Sequence, residues 1–71
     1  MKLHYYPETD SLYIELNPGP GTEVREVADG LNVDIDADGR VIGFDIDQAS
    51  TRLDLSTLET VALPLTNTKA A

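Results

Sequence analysis

Asp34-Ile35-Asp36-Ala37-Asp38-Gly39 sets three carboxylates at alternate positions with a glycine directly after the last, the opening of a calcium-binding loop. In such a loop, oxygens at positions one, three and five surround a hard cation, the glycine at six makes the sharp turn, and a bidentate Glu at twelve closes the shell. Position twelve here is Asp45, one carbon shorter than Glu, and the flanks alternate like strands rather than helices. Paired strands would hold Asp34 and Asp36 roughly 6–7 Å apart on one face, with Asp38 at the turn, so the three do not curl around a point. A divalent-metal-binding or metal-dependent domain built on Asp34, Asp36, Asp38 and Asp45 is therefore the alternative reading. The plainer one is that alternating aspartates keep the outer face of a sheet wet and discourage sheet-to-sheet aggregation. No metal site and no cofactor are assigned.

Other chemistry-bearing residues lack convergent partners in the sequence. His4 is the single histidine, and acid–base work would require a group to orient it and a pocket to hold substrate. Ser11, Ser50 and Ser56 have turn or capping roles available, and none sits in a nucleophile elbow. Pro18-Gly19-Pro20-Gly21 lacks the basic residue and the helix start of a phosphate-cradling loop. Carboxylate pairs are abundant, but in a chain this acidic they arise by chance. The residues thus predict a domain without catalysis. Tyr5 and Tyr6 fall on opposite faces of any strand, so one of them points away from the core and offers an interface anchor.

The elements that position these residues follow from period-two patterning. With Asp38-Gly39 as a two-residue turn, Ala37 lies opposite Arg40, and Ile35 with Ile42, Val33 with Phe44 and Leu31 with Ile46 share one face. Lys2–Tyr6 and Ser11–Leu16 form a first hairpin across Pro7-Glu8-Thr9-Asp10. In its second strand Leu12, Ile14 and Leu16 share a face opposite Tyr13 and Glu15. Asn17-Pro18-Gly19-Pro20-Gly21 is an exposed connection. Glu23–Ala28 is the next strand. A tight Asp29-Gly30 turn pairs Val24 with Ile35 and Arg25 with Asp34, and drives Glu26 onto the apolar face unless a bulge intervenes.

Helical turns are expected between residues 47 and 60. Two starts are available: an Asp47 N-cap before Gln48–Leu53, and a Ser56-Thr57-Leu58-Glu59 capping box. Thr60–Leu63 ends the helix or adds an edge strand before Pro64 stops either. The predicted fold is α+β: an antiparallel meander of about four strands, five at most, with a short C-terminal helical segment packed on its apolar face. Residues 1–65 make one domain and 66–71 a frayed tail.

Seventy-one residues bury only about 60% of the unfolded surface, and with no cysteine there is no disulfide or Cys-based zinc staple. Association with another chain, a homodimer in the simplest case, is the remaining way to bury more. Thirteen acidic against five basic residues give a net charge of −8, which repels nucleic-acid backbones and anionic membranes and favours a basic protein partner. No stretch approaches the roughly 18 apolar residues of a spanning helix, so a cytoplasmic protein is expected.

Tyr6-Pro7-Glu8-Thr9-Asp10-Ser11-Leu12-Tyr13-Ile14, Glu26-Val27, the Asp34–Ile46 hairpin with Gly39 and Gly43, and Ala49-Ser50-Thr51-Arg52 occur in that order. On these motifs, which cover residues 5 to about 53, the chain resembles the bacterial domain-of-unknown-function 2283 family. Phe44-Asp45-Ile46 stands where isoleucine-glutamate-isoleucine is common in that family. The resemblance carries over no catalytic residue. What it implies is association: an antitoxin-like acidic inhibitor of a basic partner.

Overall fold

A computed structural model describes residues 1–64. Five strands form a single antiparallel sheet: β1 (Lys2–Tyr6), β2 (Ser11–Glu15), β3 (Glu23–Ala28), β4 (Leu31–Ile35) and β5 (Val41–Ile46), followed by a one-turn helix α1 (Ala49–Arg52). The α+β class holds, with five strands rather than four because each apolar-alternating run forms its own strand. Their spatial order is β1-β2-β5-β4-β3. Three connections are hairpins. The fourth, the Pro-Gly segment, carries the chain from β2 past the ends of β5 and β4 to the far edge, so β2 to β5 form a Greek key. Backbone bonds guide that crossing: Leu16 and Asn17 N–H donate to the Ile42 carbonyl at 2.8 and 3.1 Å, and Thr22 N–H donates to that of Ile35 at 2.9 Å.

The β4–β5 register departs from the expected one in two compensating ways. Leu31 faces Ile46 and Val33 faces Phe44 as predicted, but Ile35 pairs with Val41 instead of Ile42. The turn has three residues, Ala37-Asp38-Gly39, closed by Gly39 N–H to the Asp36 carbonyl (3.0 Å) and Asp36 N–H to that of Arg40 (2.9 Å). Gly39 takes φ +84°, the left-handed residue such a loop needs. The longer turn shifts the pairing by one residue, and a bulge at Ile42 shifts it back. Ile42 is thereby buried, and its carbonyl is freed for the β2 end.

A second bulge, at Val27, resolves the Glu26 conflict. Ala28 faces Leu31 as the two-residue turn requires, and beyond the bulge Glu26 faces Asn32, Arg25 faces Val33, Val24 faces Asp34 and Glu23 faces Ile35. The expected Val24–Ile35 and Arg25–Asp34 pairs are therefore replaced. Glu26 reaches the outer face, while Glu23 and Arg25, ion-paired with each other, move to the apolar side. At an exposed edge strand both stay in water, so the exchange is cheap.

The helix begins within the first of the two expected stretches, but Asp47 is not its cap. Gln48 occupies the N-cap in the left-handed region and makes no side-chain cap bond. The capping groups come from Asp10 in the β1–β2 turn: its carbonyl accepts from Ala49 N–H (2.8 Å) and its carboxylate from Ser50 N–H (3.1 Å) and Ser50 Oγ–H (2.7 Å). These bonds tie α1 to the β1–β2 turn, so its anchorage is at the end of the sheet. Ser56–Glu59 is not helical. Asp54 captures the Ser56 N–H (3.0 Å) and hydroxyl in a local turn, and the β-branched Thr57, Thr60 and Val61 do little to offset the cost of nucleating a helix before Pro64. Thr60–Leu63 forms neither a helix nor a strand. The expected frayed tail, 66–71, lies outside the described residues.

Candidate functional site

The register sorts side chains onto two faces of opposite character. On the outer face, Lys2, His4 and Tyr6 of β1 lie opposite Glu15, Tyr13 and Ser11 of β2, while Asp45 stands between Tyr13 and Asn32. Glu15, Glu26, Asp34 and Asp45 all belong to this face. On the apolar face, Leu3 and Tyr5 lie opposite Ile14 and Leu12, which continue into Phe44 and Ile46 and then Val33 and Leu31. Tyr5 and Tyr6 do fall on opposite faces.

Tyr13 crosses the outer face diagonally, from β2 over Gly43 of β5, and donates its hydroxyl to Asp34 Oδ2 of β4 at 2.9 Å. Gly43 is the space that permits this: a Cβ there would lie 2.5 Å from Tyr13 Oη and 2.6 Å from the Ile14 carbonyl. Burial, and then the bond to Asp34, push the Tyr13 phenol up to about 12. Asp45 is also raised, first by burial and then by Asp47 and Asp34. Tyr6, Thr9, Ser11, Tyr13 and Asp45 line an open polar depression of about 430 Å³.

The sequence-predicted metal residues do not converge. Asp34 is engaged by Tyr13. Asp36 turns into its own loop, accepting from Asp38 N–H and Arg40 N–H at 2.9 Å each and from Arg40 Nε at 3.0 Å. The Arg40 N–H is the main reason its carboxyl is lowered. Asp38 sits exposed at the tip and Asp45 lies on the outer face. Among the described residues no group of three or more His, Cys, Asp or Glu side chains is placed to hold a metal ion. The serines are dispersed: Ser11 at the start of β2, Ser50 bonded to Asp10, Ser56 bonded to Asp54. His4 lies opposite Tyr13 on an exposed edge strand.

A constellation that sequence reasoning missed is the latch around Asp10. Besides its bonds from Ser50, the Asp10 carboxylate accepts from Tyr5 Oη at 2.8 Å. The Ser50 hydroxyl and then the Tyr5 hydroxyl lower the Asp10 carboxyl, and the bond to Asp10 raises the Tyr5 phenol. The backbone of Asp10 is left-handed, at φ +53°. Beyond α1, the Arg52 guanidinium lies against Gly30, where a Cβ would come within 2.7 Å of Nη2, and reaches Asp29 at 3.9 Å. Gly30 itself takes φ +75°, so this turn accepts only glycine comfortably. The one-turn helix therefore clips the β1–β2 turn to the β3–β4 turn. The signal available was the ordered co-occurrence of Tyr5, Asp10 and Ala49-Ser50-Thr51-Arg52.

The apolar face carries a groove of about 680 Å³ between Leu3, Tyr5, Leu12 and Ile14 of the sheet and the irregular segment Leu53–Leu58. Among the described residues only Leu12, Val33, Ile42 and Ala49 are buried hydrophobic residues. Leu3 and Tyr5 remain 44% and 45% exposed, and Leu58 at the groove rim 77%. No helix among the described residues is long and apolar enough to cross a membrane.

The geometry defines a small antiparallel Greek-key sheet whose hairpins are clipped by a one-turn helix, with one acidic and one apolar face. The chain belongs to the family described as protein of unknown function (DUF2283), whose model matches residues 2–50. The matched span ends at Ser50, the residue that closes the latch onto Asp10. No curated protein and no solved structure matches the chain. Of the motif residues on which the resemblance was drawn, Asp10, Tyr13, Asp34, Asp36, Gly39, Gly43, Ser50 and Arg52 each have a structural contact or a backbone role that shapes the sheet, its turns or its clip.

Proposed function

We propose that this domain is a non-catalytic protein-association module that works in the cytoplasm through its apolar face. The observation that carries the reading is the groove of about 680 Å³ on one side of a one-layer sheet. A sheet face of this character is stable only when another layer covers it, and the segment after α1 supplies only part of that cover. Leu3, Tyr5 and Leu58 stand in water where a packed domain would bury them. The family signature supports the non-catalytic part, because several of its polar residues, Asp10, Tyr13, Asp34, Asp36 and Ser50, are engaged in shaping the fold. The acidic outer face supports a second possibility, inhibition of a basic partner in the manner of an antitoxin.

A photo-crosslinking residue at position 58, compared with one at position 26 on the outer face, tests the reading in the native cell. A discrete protein adduct from position 58 is expected. Adducts from position 26 alone would transfer the role to the acidic face, and no adduct from either would overturn an association function.

A further inference from the structure

We infer that β1 is an association edge, and that it takes the β1 strand of a second copy of this chain, antiparallel about a twofold axis, so that two five-stranded sheets join into one. The contact is made by backbone at the rim of the sheet and does not depend on what fills the groove.

An open sheet has two edges, and the row of unpaired N–H and C=O groups along each is a template for another strand unless something blunts it. Here the edges are β1 and β3, and every residue of both is exposed. β3 is blunted twice. The bulge at Val27 interrupts its line of donors and acceptors, and Glu23 and Arg25 place charge on its apolar side. β1 has neither device. It pairs with β2 residue for residue, from Lys2–Glu15 to Tyr6–Ser11, with no register shift, and its apolar side carries Leu3 and Tyr5. Among the described residues β2 is its one strand neighbour.

Charge and register make a second copy the occupant. β1 is the one strand without a carboxylate: β2 carries Glu15, β3 Glu23 and Glu26, β4 Asp34 and β5 Asp45. Two chains of net charge −8 therefore meet with least repulsion at β1, whereas a basic strand from another protein finds no carboxylate there to draw it. Antiparallel pairing of two identical edges requires opposed residues of like parity, because only alternate residues turn their N–H and C=O outward. Full overlap meets that condition with His4 on the axis. Leu3 then lies opposite Tyr5 of the second copy on the apolar side, and Lys2 opposite Tyr6 of the second copy, not another lysine, on the outer side. The blunted β3 strands end up at the two far edges, so the pair closes and does not grow into a filament.

Amide spectra and hydrogen exchange of the isotope-labelled full chain, followed over a concentration series up to about 1 mM beside sedimentation velocity, test the inference. One short strand makes a small interface, so the association is weak and concentration-dependent. Shift changes and slowed exchange should grow with concentration at alternate amides of Lys2–Tyr6 and leave Glu23–Ala28 unmoved, while the mass approaches that of two chains. His4→Glu sets two carboxylates against each other on the axis and should weaken association at least about fivefold, with an unchanged far-ultraviolet dichroism spectrum because His4 is exposed in the single chain. Glu26→Gln on the opposite edge should leave the dimer intact. A chain that stays monomeric throughout, concentration-dependent changes confined to β3 or to Leu53–Leu58, or a dimer indifferent to His4→Glu overturns the β1 edge as its interface. A position-58 adduct to a different protein in cells would still leave the association reading standing without it.

Discussion

Replacing Tyr13 with Phe isolates the bond that spans three strands. The substitution keeps the ring over Gly43 and removes only the hydroxyl that donates to Asp34 Oδ2 at 2.9 Å. A hydrogen bond to a charged acceptor contributes about 1.5–3 kcal/mol when well buried. Both partners are half-buried, so about 1–1.5 kcal/mol at neutral pH is the appropriate expectation, or about 4–10 °C in melting temperature for a domain of this size. The pH dependence is the sharper signature. The folded-state phenol sits at about 12, above the ordinary tyrosine value of 10.0, so the folded state holds its proton longer than the unfolded state does. Its contribution is complete below pH 10 and is lost as pH rises through about 12. The loss amounts to about 2.7 kcal/mol at most. Urea denaturation followed by circular dichroism from pH 7 to 12, for wild type and Tyr13→Phe in parallel, measures the difference directly. Tyr5, raised by its bond to Asp10, titrates in both proteins and cancels. Because the alkaline loss exceeds the neutral-pH advantage, the two stabilities should converge as pH rises above 10 and cross before about 12, beyond which the Phe variant is the more stable. A Phe variant as stable as wild type at neutral pH, with a parallel alkaline limb, would refute the role given to this bond.

Gly43→Ala places a methyl group 2.5 Å from Tyr13 Oη and 2.6 Å from the Ile14 carbonyl, which belongs to a paired strand and cannot retreat freely. It should cost about 1–3 kcal/mol, seen as a lower urea midpoint; an unchanged midpoint would mean that the β2–β5 approach is looser than described. Asp10 is lowered in the folded state, so its contribution is present above the ordinary aspartate value of 3.8 and disappears as pH falls through the lower folded value. Ser50→Ala should therefore flatten the acid limb of melting temperature against pH, and an acid limb identical to wild type would show that the latch contributes nothing. Millimolar calcium or magnesium should leave the melting temperature unchanged, because Asp34 and Asp36 already have protein partners. A ligand at a hundred times its dissociation constant would stabilise by about 2.7 kcal/mol, so a saturable rise on titration would revive the metal reading.

The strands were legible because one half-buried sheet imposes period-two alternation, and a slip of one residue would turn every apolar side chain into water. Val33–Phe44 and Leu31–Ile46 follow from that parity alone. Parity reports only a net shift, however. A three-residue turn with a bulge at Ile42 and a two-residue turn without one place the same pairs together, so the sequence could not separate them. The Val27 bulge could be anticipated because Glu26 made the unbulged alternative costly. The capping box at Ser56 was a valid local signal that lost to a competing local bond from Asp54.

By itself, then, the sequence determined the strands, the apolar face, the acidic balance and the family signature, since these depend on neighbours one or two residues away. Only the tertiary structure decided that β2 lies beside β5, that Asp10 caps a helix forty residues later, and that Tyr13 spans Gly43 to reach Asp34. Those contacts join segments whose separation carries no periodic trace in the chain. The same distinction reassigns the aspartates of the apparent metal loop: their spacing suggested a shared ion, whereas chain pairing gave Asp34 a tyrosine, Asp36 its own turn and Asp38 the solvent.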